Sequence, residues 1–307
     1  MTTDTPAKER LRERIHELKG ELNAVIMAHN YQRPEVQDIA DVLGDSLEMA
    51  REATRLDADV LVVCGVLFMA ESAAILNPER TVLLSEGTAG CPMADMITVE
   101  DLRRWKQRYP DAAVVCYVNS SAAVKAESDY CCTSANAVAV VEAVPSEEIL
   151  FVPDQNLGSF VAGRTDKRII LYPGYCNTHH RVTARHVRKA KQEHPEAVVL
   201  VHPECRPEVI ALADEALSTS QMAAYVARSE AKSFLIGTEE GLVYRLQKDN
   251  PEKAFYLVTT SLVCPDMKKT TLEEVVQTME LRKNVVAVAE ETRVKAKEAL
   301  DRMLAIT

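Results

Sequence analysis

Apolar residues along this chain gather in short runs that recur. "AVIMAHN" (Ala24 to Asn30), "AVVCYVN" (Ala113 to Asn119) and "AVVLVHPE" (Ala197 to Glu204) are each rich in β-branched side chains and end in polar ones. Such runs read as parallel strands covered on both faces. Their polar carboxyl ends are where α/β sheets place ligands. A hydroxyl at a predicted helix start follows each run: Ser46 in "GDSLEMAREA", Ser134 in "TSANAVAVVEAV" and Thr219 in "LSTSQMAAYVARS", at intervals of 88 and 85 residues. Asp45 with Glu48, and Ser218 with Gln221, have capping-box spacing. Each unit then closes with a further strand and a cysteine turn: "GCPMADMIT", "YCNTHHRVT" and "VCPDMKKTT". Cys91, Cys176 and Cys264 stand at intervals of 85 and 88 residues, each seven residues before a threonine (Thr98, Thr183, Thr271) placed to cap the next helix. Thr271 with Glu274 again has capping-box spacing.

Each unit therefore reads β-α-β-α-β-turn-α, the alternation that gives a parallel sheet with helices on both faces. The expected fold is α/β: three αβα sandwich domains over residues 21–104, 105–188 and 189–283, each with a short parallel sheet. Flanking helices are expected over residues 1–20, with Leu11, Ile15 and Leu18 on one face, and over residues 284–307. Packing around a pseudo-threefold axis would bring the three cysteines and the strand ends to one central active site.

Composition narrows the function classes. Apolar residues make up 47% and charged residues 27% of the 307, as in an ordinary globular protein. A net charge of −10, with no clear basic stripe, argues against nucleic acid as a partner. The longest apolar run, Val60 to Ala70, has 11 residues, short of the ~20 of a membrane-spanning helix. The N-terminal stretch is too polar for a secretion signal, so a cytoplasmic location is expected, where cysteines serve metal ligation or catalysis more often than disulfides.

Three converging thiolates could cap three corners of a [4Fe–4S] cube and leave the fourth iron open to substrate. Zinc with three cysteines and a fourth ligand is the alternative. Of the other five cysteines, Cys64 and Cys116 lie in predicted strands, and Cys131 and Cys132 just before a helix; these four read as packing residues. Cys205 follows "HPE" without a repeat partner. Helix starts at Ser46, Ser134 and Thr219 offer backbone N–H groups to carboxylate or phosphate without needing Arg or Lys. Around them would lie His29, Tyr31, Tyr117, Asn119, His202 and Glu204, neutral donors and acid/base groups suited to a small polyanion and to proton shuttling. Lys268, Lys269 and His179 to Arg181 beside the cysteines read equally as added local positive charge or as a solvated face.

"MAHNYQRPEVQDIADVLGDSLEMAR", "GCPMADM", "CYVNSSAAVKAESD", "TSAN", "PDQNLG", "PGYCNTHHR", "VHPEC" and "TSLVCPDMKK" together closely resemble the quinolinate synthase family over nearly the whole chain. The resemblance implies three pseudo-symmetric αβα domains and a [4Fe–4S] cluster cofactor on Cys91, Cys176 and Cys264. It implies a condensing and dehydrating transferase of NAD biosynthesis, acting on iminosuccinate and dihydroxyacetone phosphate, with a functional link to L-aspartate oxidase. Substrate would be bound by His29, Ser46, Tyr117, Asn119, Ser134, His202, Glu204 and Thr219. Catalytic roles would fall to Tyr31, Glu204, His202 and His29, with Tyr31 a mobile acid/base. Some members carry a CxxCxxC run around the third ligand; here those places are Ser261 and Met267, so no redox disulfide is expected there. Other three-cysteine cluster enzymes, a hydratase or a diphthamide-synthesis-like radical enzyme, are the alternative reading, and "MAHNY" and "VHPE" argue against both. A non-enzymatic iron–sulfur redox sensor would need a partner surface or DNA-binding element that the sequence does not offer.

Overall fold

Twelve short strands make three parallel sheets in the structure, a computed structural model that describes residues 6–306. The first five positions of the polar N-terminal stretch lie outside the described residues. Contacts divide the chain into two compact units, one of residues up to Cys91 with Pro265–Ala289, the other of Pro92–Cys264 with the segment from Glu290. The first unit holds β1 (Ala24–His29), β2 (Val42–Gly44), β3 (Val60–Cys64) and β4 (Thr81–Leu84), ordered β2-β1-β3-β4. The second holds two sheets of the same order. One is built from β5 (Ala113–Tyr117), β6 (Tyr130–Cys132), β7 (Glu148–Val152) and β8 (Arg168–Leu171). The other is built from β9 (Val198–Val201), β10 (Glu215–Ala216), β11 (Ser233–Gly237) and β12 (Ala254–Leu257). The strands that open each unit were legible in the apolar runs. The second strand of each sheet was not, because it spans only two or three residues and runs into the next helix cap.

What starts these edge strands is a device repeated three times. Asp41 Oδ2 accepts the Ile26 N–H at 2.9 Å, Asp129 Oδ2 the Val114 N–H at 2.7 Å, and Asp214 Oδ2 the Val199 N–H at 2.7 Å. Each aspartate's own N–H returns to the carbonyl of the same strand residue. A backbone pair is thereby satisfied before the short strand begins. Positions 26, 114 and 199 are thus equivalent, at the 88- and 85-residue intervals of the hydroxyl series.

The helix after each cysteine turn packs against the repeat whose sheet comes next, the third of them against the first sheet. Val99–Arg108 is tied to the β5–β6 connection through Lys106 Nζ on the Glu127 carbonyl (2.8 Å) and the Arg103–Glu127 ion pair. The helix Ala184–Glu193 sends Val187 and Ala190 into a core with Val199 and Val201. In the first unit the helix Leu272–Leu281 sends Leu272, Val275 and Met279 into the core formed by Ile26, Val62 and the helix Pro6–Leu22, whose Ile15 and Leu18 are buried. The last helix, Glu290–Ala305, buries Ala296, Ala299, Leu300 and Met303, and packs against Ala122–Ala126 and β6.

Candidate active site

With the order β2-β1-β3-β4, the direction in which successive strands are added reverses between the first and third strands of each sheet, so ligands are expected past the carboxyl ends of those two strands. The residues there fall into equivalent rows. His29 and Tyr117 end β1 and β5, His202 directly follows β9, and Tyr31, Asn119 and Glu204 stand two residues on. In the first and third repeats the local geometry repeats as well. The Tyr31 N–H donates to His29 Nδ1 at 3.1 Å, and the Glu204 N–H to His202 Nδ1 at 3.2 Å. The Tyr31 ring meets His29 edge-on, with centroids 4.5 Å apart. Lys268 Nζ donates to the Tyr31 carbonyl at 2.8 Å.

The hydroxyl series sits next to its caps. Asp45 accepts from the N–H groups of Leu47 and Glu48 and caps the helix Ser46–Ala53, and Ser218 caps Thr219–Arg228; both form the expected capping boxes. Ser46 and Thr219 are the first residues of their helices. Ser134 differs: it lies in a turn ahead of the helix Ala137–Ala143. Only one half of a box-like pair forms there, with Asn136 Oδ1 accepting the Thr133 N–H at 2.8 Å while the Asn136 N–H goes to the Thr133 carbonyl. Neither Thr133 nor Asn136 carries the Glu/Gln signature by which the boxes were found. At Thr271 only half a box forms: its hydroxyl accepts the Glu274 N–H, while the Glu274 carboxylate pairs with Lys283 at 3.2 Å.

The second unit brings several polar side chains to one buried place. Cys176 opens the short helix Asn177–His180, one turn of which carries His179 back beside it. His179 Nδ1 lies 3.2 Å from Cys176 Sγ and 2.7 Å from Glu204 Oε2, and its Nε2 lies 2.8 Å from Thr238 Oγ1. His202 stacks on His179 at 4.6 Å, and its Nδ1 is 3.2 Å from the same Glu204 oxygen. Asn156 Nδ2 donates to the Glu204 carbonyl at 3.0 Å. Burial alone would push the Glu204 carboxyl up, but the two imidazoles overcome it and hold it well below the usual carboxylate range. Burial, and then the charge on Glu204, push Asp154 the other way, against the backbone N–H groups that favour its ionised form.

Past the first strands of the second unit's two sheets, two acceptor oxygens are buried without a hydrogen-bond partner: Glu204 Oε1 and Asn119 Oδ1, at equivalent positions of neighbouring repeats. A buried acceptor left unpaired costs its desolvation energy, about 1–3 kcal/mol, so such atoms mark where a ligand's donors belong. His179 was missed as a partner of Cys176. The signal was its i, i+3 spacing from the cysteine, read instead as local positive charge or a solvated face.

The eight cysteines divide into two groups. Cys91, Cys176 and Cys264 are partly exposed, and all five others are buried. Cys64 and Cys205 sit in hydrophobic cores, and Cys131 and Cys132 lie within β6 rather than ahead of a helix. Burial pushes the Cys64 thiol up to about 12 and raises Cys131, Cys132 and Cys205 as well. Cys116 is raised by burial but brought down to about 7 by hydrogen bonds with Cys131 and Ser120 and by nearby Lys125; only its burial protects it. Iodoacetamide should therefore modify Cys91, Cys176 and Cys264 in the folded, metal-free chain, and the other five only after unfolding. Peptide mass spectrometry reads this out, and labelling of Cys116 or Cys205 at the rate of Cys176 would refute it.

Soft thiolates on accessible, repeat-matched turns fit an iron–sulfur cluster. Cys176, His179 and Glu204, whose donor atoms lie within 4.8 Å of one another, also fit a single borderline metal ion. Among the described residues no helix is long and apolar enough to cross a membrane.

Comparison with known proteins finds close relatives along nearly the whole chain. The profile of the family described as quinolinate synthetase A protein matches residues 13–305. A quinolinate synthase of Dehalococcoides mccartyi (strain CBDB1) is 56% identical over 299 residues, covering 97% of this chain and 99% of the relative. One from Methanosarcina barkeri is 57% identical over 294 residues, covering 96% and 97%. One from Geobacter metallireducens is 55% identical over 296 residues, with the same coverage.

Proposed function

Because the chain belongs to the quinolinate synthase family, we propose that it condenses iminosuccinate with dihydroxyacetone phosphate to give quinolinate, phosphate and two waters. The observation that carries this reading is Glu204, buried between His179 and His202 beside Cys176, with one carboxylate oxygen still unpaired. Condensation and loss of two waters need several proton transfers at one place. A carboxylate touching two imidazoles can take a proton and pass it on without leaving a bare charge in a buried site.

Cys91, Cys176 and Cys264 would hold a [4Fe–4S] cluster. When bound, it would supply a Lewis-acidic iron free of protein ligands, suited to polarising an oxygen of the triose. The chain's own residues do the rest. Ser46, Ser134 and Thr219 offer hydroxyls, with the first turns behind Ser46 and Thr219, to the carboxylates and phosphate. Asn119 and Tyr117 orient the substrate from the second sheet. Tyr31, held against His29, serves as a second acid/base. Iminosuccinate is the product of a two-electron oxidation of L-aspartate, so an L-aspartate oxidase is the matching supplier.

The test is to purify the chain without oxygen and measure iron, sulfide, the visible spectrum and quinolinate formation from the two substrates. Iron and sulfide in equal amounts together with quinolinate are expected. Iron-free protein that forms no quinolinate after anaerobic reconstitution would overturn the reading. A second reading places one divalent metal on Cys176, His179 and Glu204, since their donor atoms already lie together. It predicts metal without sulfide.

A further inference from the structure

Past the third strand of each sheet the three repeats are tied to their cysteine turns by the same backbone bond. The Leu67 N–H donates to the Ala89 carbonyl at 2.9 Å, Gln155 to Gly174 at 2.7 Å, and Glu240 to Leu262 at 2.8 Å. Each acceptor stands two residues before its cysteine, so Val66, Asp154 and Glu239, the residues just before these donors, are equivalent positions. In two repeats this position is a carboxylate with no exposed surface.

Both carboxylates divide their oxygens alike. Asp154 Oδ1 accepts the Leu157 N–H at 2.7 Å and Oδ2 the Cys176 N–H at 2.9 Å. Glu239 Oε2 accepts the Gly241 N–H at 2.7 Å and Oε1 the Cys264 N–H at 3.1 Å. One oxygen of each thus serves a helix start, and the other grips the backbone of a cysteine. Asp154 does so at φ 75°, in the left-handed region that an L-residue seldom adopts. Helix capping needs neither a second oxygen nor that backbone. Val66, in the first repeat, has no side-chain acceptor to offer.

The geometry points to Asp154 and Glu239 as positioning residues that fix the Cys176 and Cys264 turns for the cluster, a carboxylate anchor absent from the equivalent place beside Cys91. Gripping the amide of a ligand residue sets the direction of its Cα–Cβ bond, so the sulfur is aimed before metal arrives. This is how outer partners orient ligands in other metal sites. The inference rests on the functional reading above.

Asp154→Asn and Glu239→Gln test it. The amide keeps one oxygen for the helix N–H, so the cap survives, but it turns an NH₂ group toward the cysteine N–H. Each full-length variant is reconstituted without oxygen beside the wild type, and iron release to a ferrous chelator is followed. Outer partners of metal ligands are commonly worth about 10–100-fold in metal affinity. Release should accordingly quicken roughly tenfold or more in each variant, with an altered electron paramagnetic resonance spectrum of the reduced cluster. Thermal unfolding of the metal-free chain should stay near wild type, and Val66→Ala should release iron at the wild-type rate. Release at the wild-type rate in both carboxylate variants overturns the anchor while leaving the functional reading intact. Quickened release that only tracks lost stability of the metal-free chain also overturns it. A wild-type chain that takes up no iron overturns the functional reading and the anchor's purpose with it. Amide hydrogen exchange at Cys176 and Cys264 then reports whether the grip itself exists.

Discussion

Serine in place of Cys91, Cys176 or Cys264, one at a time, is expected to abolish iron retention and quinolinate formation together. A serine hydroxyl is harder and far less acidic than a thiol, so the iron loses one of its soft anionic ligands. Losing an outer partner costs metal sites about 10–100-fold, and a lost ligand should exceed that, with turnover falling by at least about a hundredfold. The contrast is with the buried cysteines. Cys205 contributes packing in the core around Val199 and Leu235, and its Sγ lies 3.5 Å from the Gly237 carbonyl. Cys205→Ala should lower stability through lost packing yet keep iron and activity. Iron per chain, measured after anaerobic gel filtration, separates the two groups. A Cys91→Ser chain with wild-type iron and turnover would refute the assignment.

The same contrast shows what the sequence could and could not reveal. Cysteine is rare enough that three at matched intervals, each followed by a capping threonine, stand out by letter alone. The opening strands were legible because a buried parallel strand leaves a continuous apolar run. The edge strands and the Thr133–Asn136 side-chain bond leave no comparable trace: one is too short, and the other uses a residue pair outside the usual cap signature. The residues behind the cysteines were illegible for another reason. Their position holds valine, aspartate and glutamate in the three repeats, so the equivalence appears only once backbone hydrogen bonds align them. His179 was visible as a letter but not as a neighbour of Glu204. That contact needs the second and third sheets of the larger unit packed together, and no local period encodes it.

Glu204→Gln is expected to cut turnover by about 10²–10⁴, the range for a lost general acid/base, while iron and sulfide stay at wild-type levels. The amide matches the carboxylate in size, so the stack of His179 on His202 should persist. What disappears is the charge that both imidazoles face and the acceptor that receives a proton. Retained iron is the informative half of the result. A metal held by Cys176, His179 and Glu204 would leave with the carboxylate, whereas a cluster on three cysteines would not. The metal-free chain supplies a second readout. The imidazoles depress Glu204 in the folded state despite its burial, so its share of stability is present above the unfolded value, about 4.3. That share is lost as pH falls through the lower folded value. Urea unfolding of the wild type should therefore weaken with acid more steeply than that of Glu204→Gln from about pH 5 downward. Identical acid limbs would mean that Glu204 is not held ionised by its histidines, and a Glu204→Gln enzyme with full turnover would remove this carboxylate from the reaction.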